Sequence, residues 1–200
     1  MVITGVILAA GMSSRMGAVN KLLLKYKDRT IIEETLTQMM NSGVDDVVII
    51  TGFESDLIEQ VLASHTDNRT RFVYNADYRQ GRAESIKCAI KAIAGKADAA
   101  LFMVADKPGV NSHLIDKAIE RFRTDRPAIL YVEASKVRGH PIIFDKRVFD
   151  ALLSLNGDRI GDELVSNYRD DLVRLVDDTP QIDIDSKDDY RILLETEGHN

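Results

Sequence analysis

A rhythm constrains this chain more than any other feature. Short runs with apolar residues on both faces alternate with segments whose apolar residues recur at helical spacing. Val2 to Leu8, Asp46 to Thr51, Arg71 to Asn75, Ala99 to Ala105 and Ala128 to Glu133 read as strands. A strand without a polar face is covered on both sides, which is the condition of a parallel sheet between two layers of helices. Thr30 to Met40, Ser55 to Ser64, Glu84 to Ala94 and Ser112 to Phe122 read as the covering helices. Ser55 and Ser112 are their expected N-caps, and Gly43 an expected stop. Ile58, Val61 and Leu62 are expected to face the core. The predicted fold class is α/β, a Rossmann-like three-layer α/β/α arrangement with a mostly parallel sheet.

After Ser135 the rhythm changes. Arg138 to Phe144 reads as an extra strand, Lys146 to Leu153 and Asp162 to Tyr168 as helices, Leu172 to Val176 as a strand and Lys187 to Glu195 as a final helix. No repeat, linker or low-complexity segment interrupts the 200 residues, so one domain spanning 1–200 is expected. No apolar run approaches the roughly 20 residues of a membrane span. Met1 to Ala10 lacks a basic leader and runs into a Gly-rich loop, so it reads as a first strand, not a signal peptide, and a cytoplasmic location is expected. The net charge of -6 argues against a nucleic-acid binder that neutralises many phosphates. A single nucleotide needs only a local cluster of cations. The one cysteine, Cys88, forms no intrachain disulfide and reads as a small core residue.

The most informative loop follows the first strand: Leu8, Ala9, Ala10, Gly11, Met12, Ser13, Ser14, Arg15, Met16, Gly17 and then Lys21. Ligands of open α/β sheets bind at the carboxyl ends of the strands. Small residues at 9–11 let backbone N–H groups approach a ligand, Ser13 and Ser14 add hydroxyls, and Arg15 and Lys21 add two cations for a triphosphate. The run contains neither G-x-G-x-x-G nor G-x-x-x-x-G-K-[ST], which counts against a dinucleotide-binding or P-loop protein. Asp106, directly after an apolar strand, is placed to hold Mg²⁺ with phosphate oxygens and water.

The first loop resembles the nucleotide-binding loop of the MobA/MocA-like nucleotidyltransferases, nearest to the molybdenum cofactor cytidylyltransferases. The likeness extends over about residues 3 to 194, through Asn75-Ala-Asp-Tyr-Arg-Gln-Gly81-x-x-x-Ser85, Ala105-Asp106-Lys107-Pro108, Arg138-Gly139-His140-Pro141-Ile142-Ile143-Phe144 and Asp183-Ile184-Asp185-Ser186-Lys187-Asp188-Asp189-Tyr190. It implies a nucleotide-diphospho-sugar transferase type of fold, with a nucleotide half at 1–110 and an acceptor half at 111–195. By resemblance, Leu8, Ala9, Ala10, Gly11, Ser13, Arg15, Lys21, Asn75, Gly81 and Ser85 hold the nucleotide, with Arg15, Lys21 and Asp106 catalytic. Asp106 and Asp185 hold Mg²⁺, Asp183 being the alternative to Asp185, and Arg138, Gly139 and His140 line the acceptor.

The Ala9-Ala10-Gly11 form, against a Gly-Gly form in guanylyl-transferring relatives, leans towards CTP. The implied acceptor is a small phosphorylated molecule such as molybdopterin, and a molybdoenzyme or cofactor-insertion protein is an implied partner. Three departures stand out: Arg82-Ala83-Glu84 where a Met and small polar residues are common, Lys107 where Gln or Met is frequent, and acidic residues after Gly161 where G-D-x-G-A-R carries an arginine. Other readings are transfer to a sugar phosphate or another phosphorylated alcohol, and a nucleotide-binding protein that delivers a cofactor without transfer. The alternation of Asp183 and Asp185 places both on one face of an expected strand end, and Ser186 with Asp189 reads as the cap of the last helix.

Overall fold

A computed structural model describes residues 1–16, 19–157 and 160–197, with backbone only at 160–163, 196 and 197. The described strands are β1 (Ile3–Ala9), β2 (Lys25–Tyr26), β3 (Arg29–Thr30), β4 (Asp46–Thr51), β5 (Thr70–Tyr74), β6 (Ala99–Val104), β7 (Ile129–Ala134), β8 (Val137–Asp145) and β9 (Leu172–Val176). The described helices are α1 (Ile31–Met40), α2 (Ser55–Leu62), α3 (Arg82–Ile93), α4 (Ser112–Asp125), α5 (Phe149–Leu153), α6 (Ile160–Asn167) and α7 (Lys187–Glu197). The main sheet has the order β5-β4-β1-β6-β8-β7-β9, and β8 alone runs against the others.

The apolar runs cover both sheet faces because alternate residues face opposite ways. Ile3 and Ile7 of β1, Val47 and Ile49 of β4 and Leu101 and Met103 of β6 pack with Ile32, Leu36, Ile115 and Phe122 of α1 and α4. Val6, Val48, Ile50, Ala100 and Phe102 pack on the other face with Ile86, Ile90 and Ile93 of α3 and Leu152 of α5. This is the three-layer sandwich expected from the sequence. The chain runs outward from β1 through β4 to β5, then returns to the other side of β1 as β6. The strand order therefore reverses between β1 and β6, and a crevice opens there at their carboxyl ends.

Local chemistry sets the helix starts. Thr30 caps α1 with a complete capping box: its hydroxyl accepts from the Glu33 N–H, and the Glu33 carboxylate accepts from the Thr30 N–H at 2.6 Å. Thr30→Ala is expected to cost about 1 kcal/mol, read as a fall of roughly 2–4 °C in Tm. Ser186 and Asp189 form the expected cap before α7, with the Ser186 N–H donating to Asp189 at 2.7 Å. Two expected caps are corrected. Asn111, not Ser112, caps α4, its side chain accepting from Leu114 N–H at 2.9 Å from an extended backbone. The chain enters α2 through Glu54 in the left-handed region (φ 52°), so Ser55 is already helical and cannot take the extended cap geometry.

Three further differences matter. The β2–β3 hairpin carries too few residues to show a periodicity and was not expected. Val61 is only partly buried, whereas Ile58 and Leu62 are fully covered. Asp183 and Asp185 lie in an irregular segment, not at a strand end. Ile184 between them is fully buried, and its N–H donates to the Asp106 carbonyl at 3.3 Å.

Candidate functional site

The crevice beyond β1 and β6 is a cleft of about 360 Å³ lined by residues from four loops. Its floor is Leu8 and Val104, register partners at the strand ends. Ala10 and Gly11 line it, whereas Ala9 turns its side chain into the core under the opposite face. Beyond Gly11 the loop curls back. Ser13 takes a left-handed conformation (φ 52°) and its carbonyl accepts from the Met16 N–H at 2.8 Å. The Ser13 hydroxyl accepts from the Lys21 N–H at 3.2 Å. Asn20 caps the short turn Lys21–Leu23 through the Leu22 N–H. These bonds fix where Lys21 leaves the backbone. Gly17, which closes the motif in the sequence, is outside the described residues.

At the cleft's centre one ammonium lies between two carboxylates. Lys21 Nζ is 2.5 Å from Asp106 Oδ2 and 3.1 Å from Asp185 Oδ1. Arg15 Nη1 is 2.5 Å from the other Asp185 oxygen. Burial pushes the Asp185 carboxyl up, and the charges and hydrogen bonds of Lys21 and Arg15 outweigh it, so its pKa falls below the ordinary value. Asp183, the alternative to Asp185, points elsewhere and pairs with Lys107 at 3.0 Å. Among the described residues, no group of three or more His, Cys, Asp or Glu side chains could hold a metal. The carboxylate pair Asp106 and Asp185 is nonetheless a donor set that suits Mg²⁺, which is usually held by one or two carboxylates with phosphate and water oxygens.

The opposite wall comes from the start of α3. Gly81 adopts φ 117°, ψ 173°, a conformation open essentially only to glycine. Ser85 lines the cleft, and its hydroxyl oxygen accepts from buried Asn75 Nδ2 at 3.0 Å. Asn75 does not line the cleft; it orients Ser85 and, through its carbonyl oxygen, fixes the turn at Asp77. Tyr78, Arg79 and Arg82 complete this wall. Tyr78 was not anticipated, although an aromatic residue in a Gly-terminated loop is a signal for it.

The expected acceptor residues separate. Arg138 and Gly139 line a second pocket of about 210 Å³, together with Lys107, Gln181 and Asp183 among others. The Arg138 guanidinium lies 5.4 Å from the Tyr131 ring centroid. β7 and β8 lose register between Tyr131 and Glu133, and there Gln181 serves the strand as a substitute partner. Its carbonyl oxygen accepts from the His140 N–H at 2.7 Å and its amide donates to the His140 carbonyl at 2.6 Å. A Cβ at Gly139 would collide with the Gln181 carboxamide, so the close approach expected of Gly139 is made to this side chain. Gln181 has no sequence signal. His140 lines neither pocket. Its Nδ1 is 3.2 Å from the Phe102 carbonyl, which can only accept, so Nδ1 carries the proton. Burial pushes its pKa down to about 4.

Cys88 is half-buried against the α3 side of the core, as expected of a small apolar residue, and burial raises its pKa. Asp158 and Arg159, part of the segment that departs from G-D-x-G-A-R, lie outside the described residues. Among the described residues no helix is long and apolar enough to cross a membrane.

A doubly wound sheet with a cation-rich cleft at its switch point defines the class: an enzyme of the nucleotidyltransferase type, with the nucleotide-diphospho-sugar transferase fold. The chain belongs to the MobA-like NTP transferase domain family, whose model matches residues 5–172. It is 29% identical over 200 residues to nicotine blue oxidoreductase of Paenarthrobacter nicotinovorans, covering 96% of each chain. It is 28% identical over 141 residues to the molybdenum cofactor cytidylyltransferase of Escherichia coli K12, covering 70% of this chain and 69% of that protein. The Mycobacterium tuberculosis protein Rv0371c, solved as a complex with manganese, superposes with a TM-score of 0.83 at 28% identity, covering 98% of this chain and 100% of that one.

Proposed function

We propose that the chain transfers CMP from CTP to a phosphorylated acceptor of the molybdopterin type, with Mg²⁺, releasing pyrophosphate. The observation that carries this reading is Lys21 held between Asp106 and Asp185 at the centre of the switch-point crevice. Two cations and two carboxylates meet there, and an incoming triphosphate with its metal can repartition them. Lys21 and Arg15 would turn to phosphate oxygens, and Asp106 and Asp185 would hold the metal. Bound Mg²⁺ supplies neutralisation of charge on the α-phosphate and in-line alignment. The relative solved with manganese and the carboxylate donor set support a divalent ion.

Gly11, Ser13 and the Leu8–Ala10 strand end approach the nucleotide, while Gly81 and Ser85, steadied by Asn75, face base and ribose. The acceptor approaches from the Arg138–Gly139 side. An oxygen of its phosphate attacks the α-phosphorus, the bond to the bridging oxygen of the β-phosphate breaks, and pyrophosphate leaves with that electron pair. The residues named here position the groups and screen charge, and no covalent enzyme intermediate is required. In this reading the nucleotide half is 1–110 and the acceptor half 111–195 of one domain.

The test is pyrophosphate release with Mg²⁺, each NTP in turn, and molybdopterin. Acceptor-dependent release with CTP is expected. Release with another NTP alone would move the base assignment, and binding without release would favour a delivery protein. The full-length likeness to nicotine blue oxidoreductase favours a second reading, a redox enzyme. That reading predicts consumption of a reduced pyridine nucleotide, followed by absorbance, and no pyrophosphate. The first loop lacks G-x-G-x-x-G, which weighs against it.

A further inference from the structure

The dipeptide Asp106-Lys107 divides the two pockets, with Asp106 facing the larger cleft and Lys107 the smaller pocket. The segment around Ile184 divides them again, with Asp185 on the cleft side and Asp183 on the other. Each compartment therefore has its own lysine–aspartate contact: Lys21 with Asp106 and Asp185, and Lys107 with Asp183. The second contact is unequal. The Lys107 side chain is 10% exposed, whereas that of Asp183 is 55% exposed. A buried ammonium loses most of its hydration, and one solvent-screened carboxylate restores only part of it. Such a cation is a strong ligand for an anion better placed than Asp183. Arg138 lines the same pocket and contributes a guanidinium. At about 210 Å³ the space suits a phosphate or carboxylate on a short arm, and is too small for a nucleotide.

We propose that the smaller pocket binds a second anionic group of the acceptor, with Lys107 as its main ligand, exchanged from Asp183 as the group enters. This rests on the transfer reading above and adds a substrate class: a phosphate acceptor that carries a further phosphate or carboxylate. Asp183 acts as a placeholder that keeps the ammonium partnered when the pocket holds no acceptor.

The exchange gives opposite signs for the two partners. Calorimetric titration of wild type, Lys107→Met and Asp183→Asn with inorganic phosphate, and separately with malonate, reads them directly. Lys107→Met is expected to weaken binding about 10-fold or more, the usual consequence of losing a charge-assisted hydrogen bond, and Asp183→Asn to strengthen it severalfold. A preference for phosphate or for malonate tells which anion the acceptor carries. Anion bound in the larger cleft responds to neither substitution. In turnover with Mg–CTP, molybdopterin, whose single phosphate is the attacking group, should show the same KM in Lys107→Met as in wild type, and a phosphate acceptor that also carries a carboxylate or second phosphate a raised one, with the CTP KM unchanged in both.

No saturable anion binding by wild type, equal binding by all three proteins, or weaker binding by both variants would overturn the exchange. Thermal unfolding of each variant identifies a folding defect, and Asp183→Asn decides the sign if Lys107→Met does not fold. If wild type binds the anion but transfers no nucleotidyl group, the transfer reading fails while the pocket stands.

Discussion

Asp106→Ala is expected to lower acceptor-dependent pyrophosphate release by roughly 10³-fold or more, the scale on which removing a preorganised charge-stabilising group acts. Fold and stability should survive. The Asp106 carbonyl, which accepts from the Ile184 N–H, and the neighbouring Ala105 carbonyl, which accepts from the Thr35 hydroxyl, belong to the backbone and remain. Lys21 retains Asp185 as a partner, so no buried charge is stranded. The loss should therefore appear in kcat, with CTP binding retained through Arg15 and Lys21. Asp106→Asn should resemble it, since an amide keeps the shape but is a weak ligand for a hard cation. Pyrophosphate release, CTP titration and Tm on the same preparations separate the outcomes. A rate within a fewfold of wild type would remove Asp106 from the metal site.

The second large effect concerns stability. His140 titrates at about 4 in the folded chain against an ordinary value of 6.5, because burial disfavours its charged form and the charge of Lys107 adds to that. Between those values the unfolded chain binds more protons than the folded one, so stability rises with pH. The contribution is complete above about 6.5 and is lost as pH falls towards about 4, amounting to about 3 kcal/mol at 1.36 kcal/mol per unit. Asp177 behaves in the same direction in a lower window. The Thr179 hydroxyl and Lys117 hold its pKa at about 2, so its contribution goes only between 3.8 and about 2. Urea unfolding between pH 4 and 7 should show the slope in wild type and a flatter profile in His140→Asn. An unchanged slope in that variant would place the titrating group elsewhere. The same data bear on function. An imidazole neutral throughout the physiological range, donating through Nδ1 to the Phe102 carbonyl, holds the irregular part of β8 in place and is not poised as a general base near pH 7.

The sequence by itself determined the architecture. Runs such as Val47 to Ile50 and Ala99 to Val104 are apolar on both faces, and burial of both faces leaves a covered parallel sheet as the stable arrangement. Local chemistry was also legible where partners are three residues apart, as in the Ser186–Asp189 cap. The first loop was legible because its donors and cations are contiguous: Gly11, Ser13, Arg15 and Lys21 all line or support the cleft. Tertiary structure alone decided which distant groups meet. Asp185 stands 164 residues from Lys21, and a strand-like alternation placed it beside Asp183. In the folded chain Ile184 enters the core between them, so the two carboxylates open into different compartments. Arg138 and His140, two residues apart, would share a face of a regular strand, and they part because β8 loses register with β7 there. Gln181 gave no warning, because its role is to bond a backbone irregularity that exists only once β7 and β8 have lost register. Spacing in sequence reports which face a side chain takes within one element. Where an irregular segment lies across two pockets, long-range packing of its one buried residue sets the direction of its neighbours.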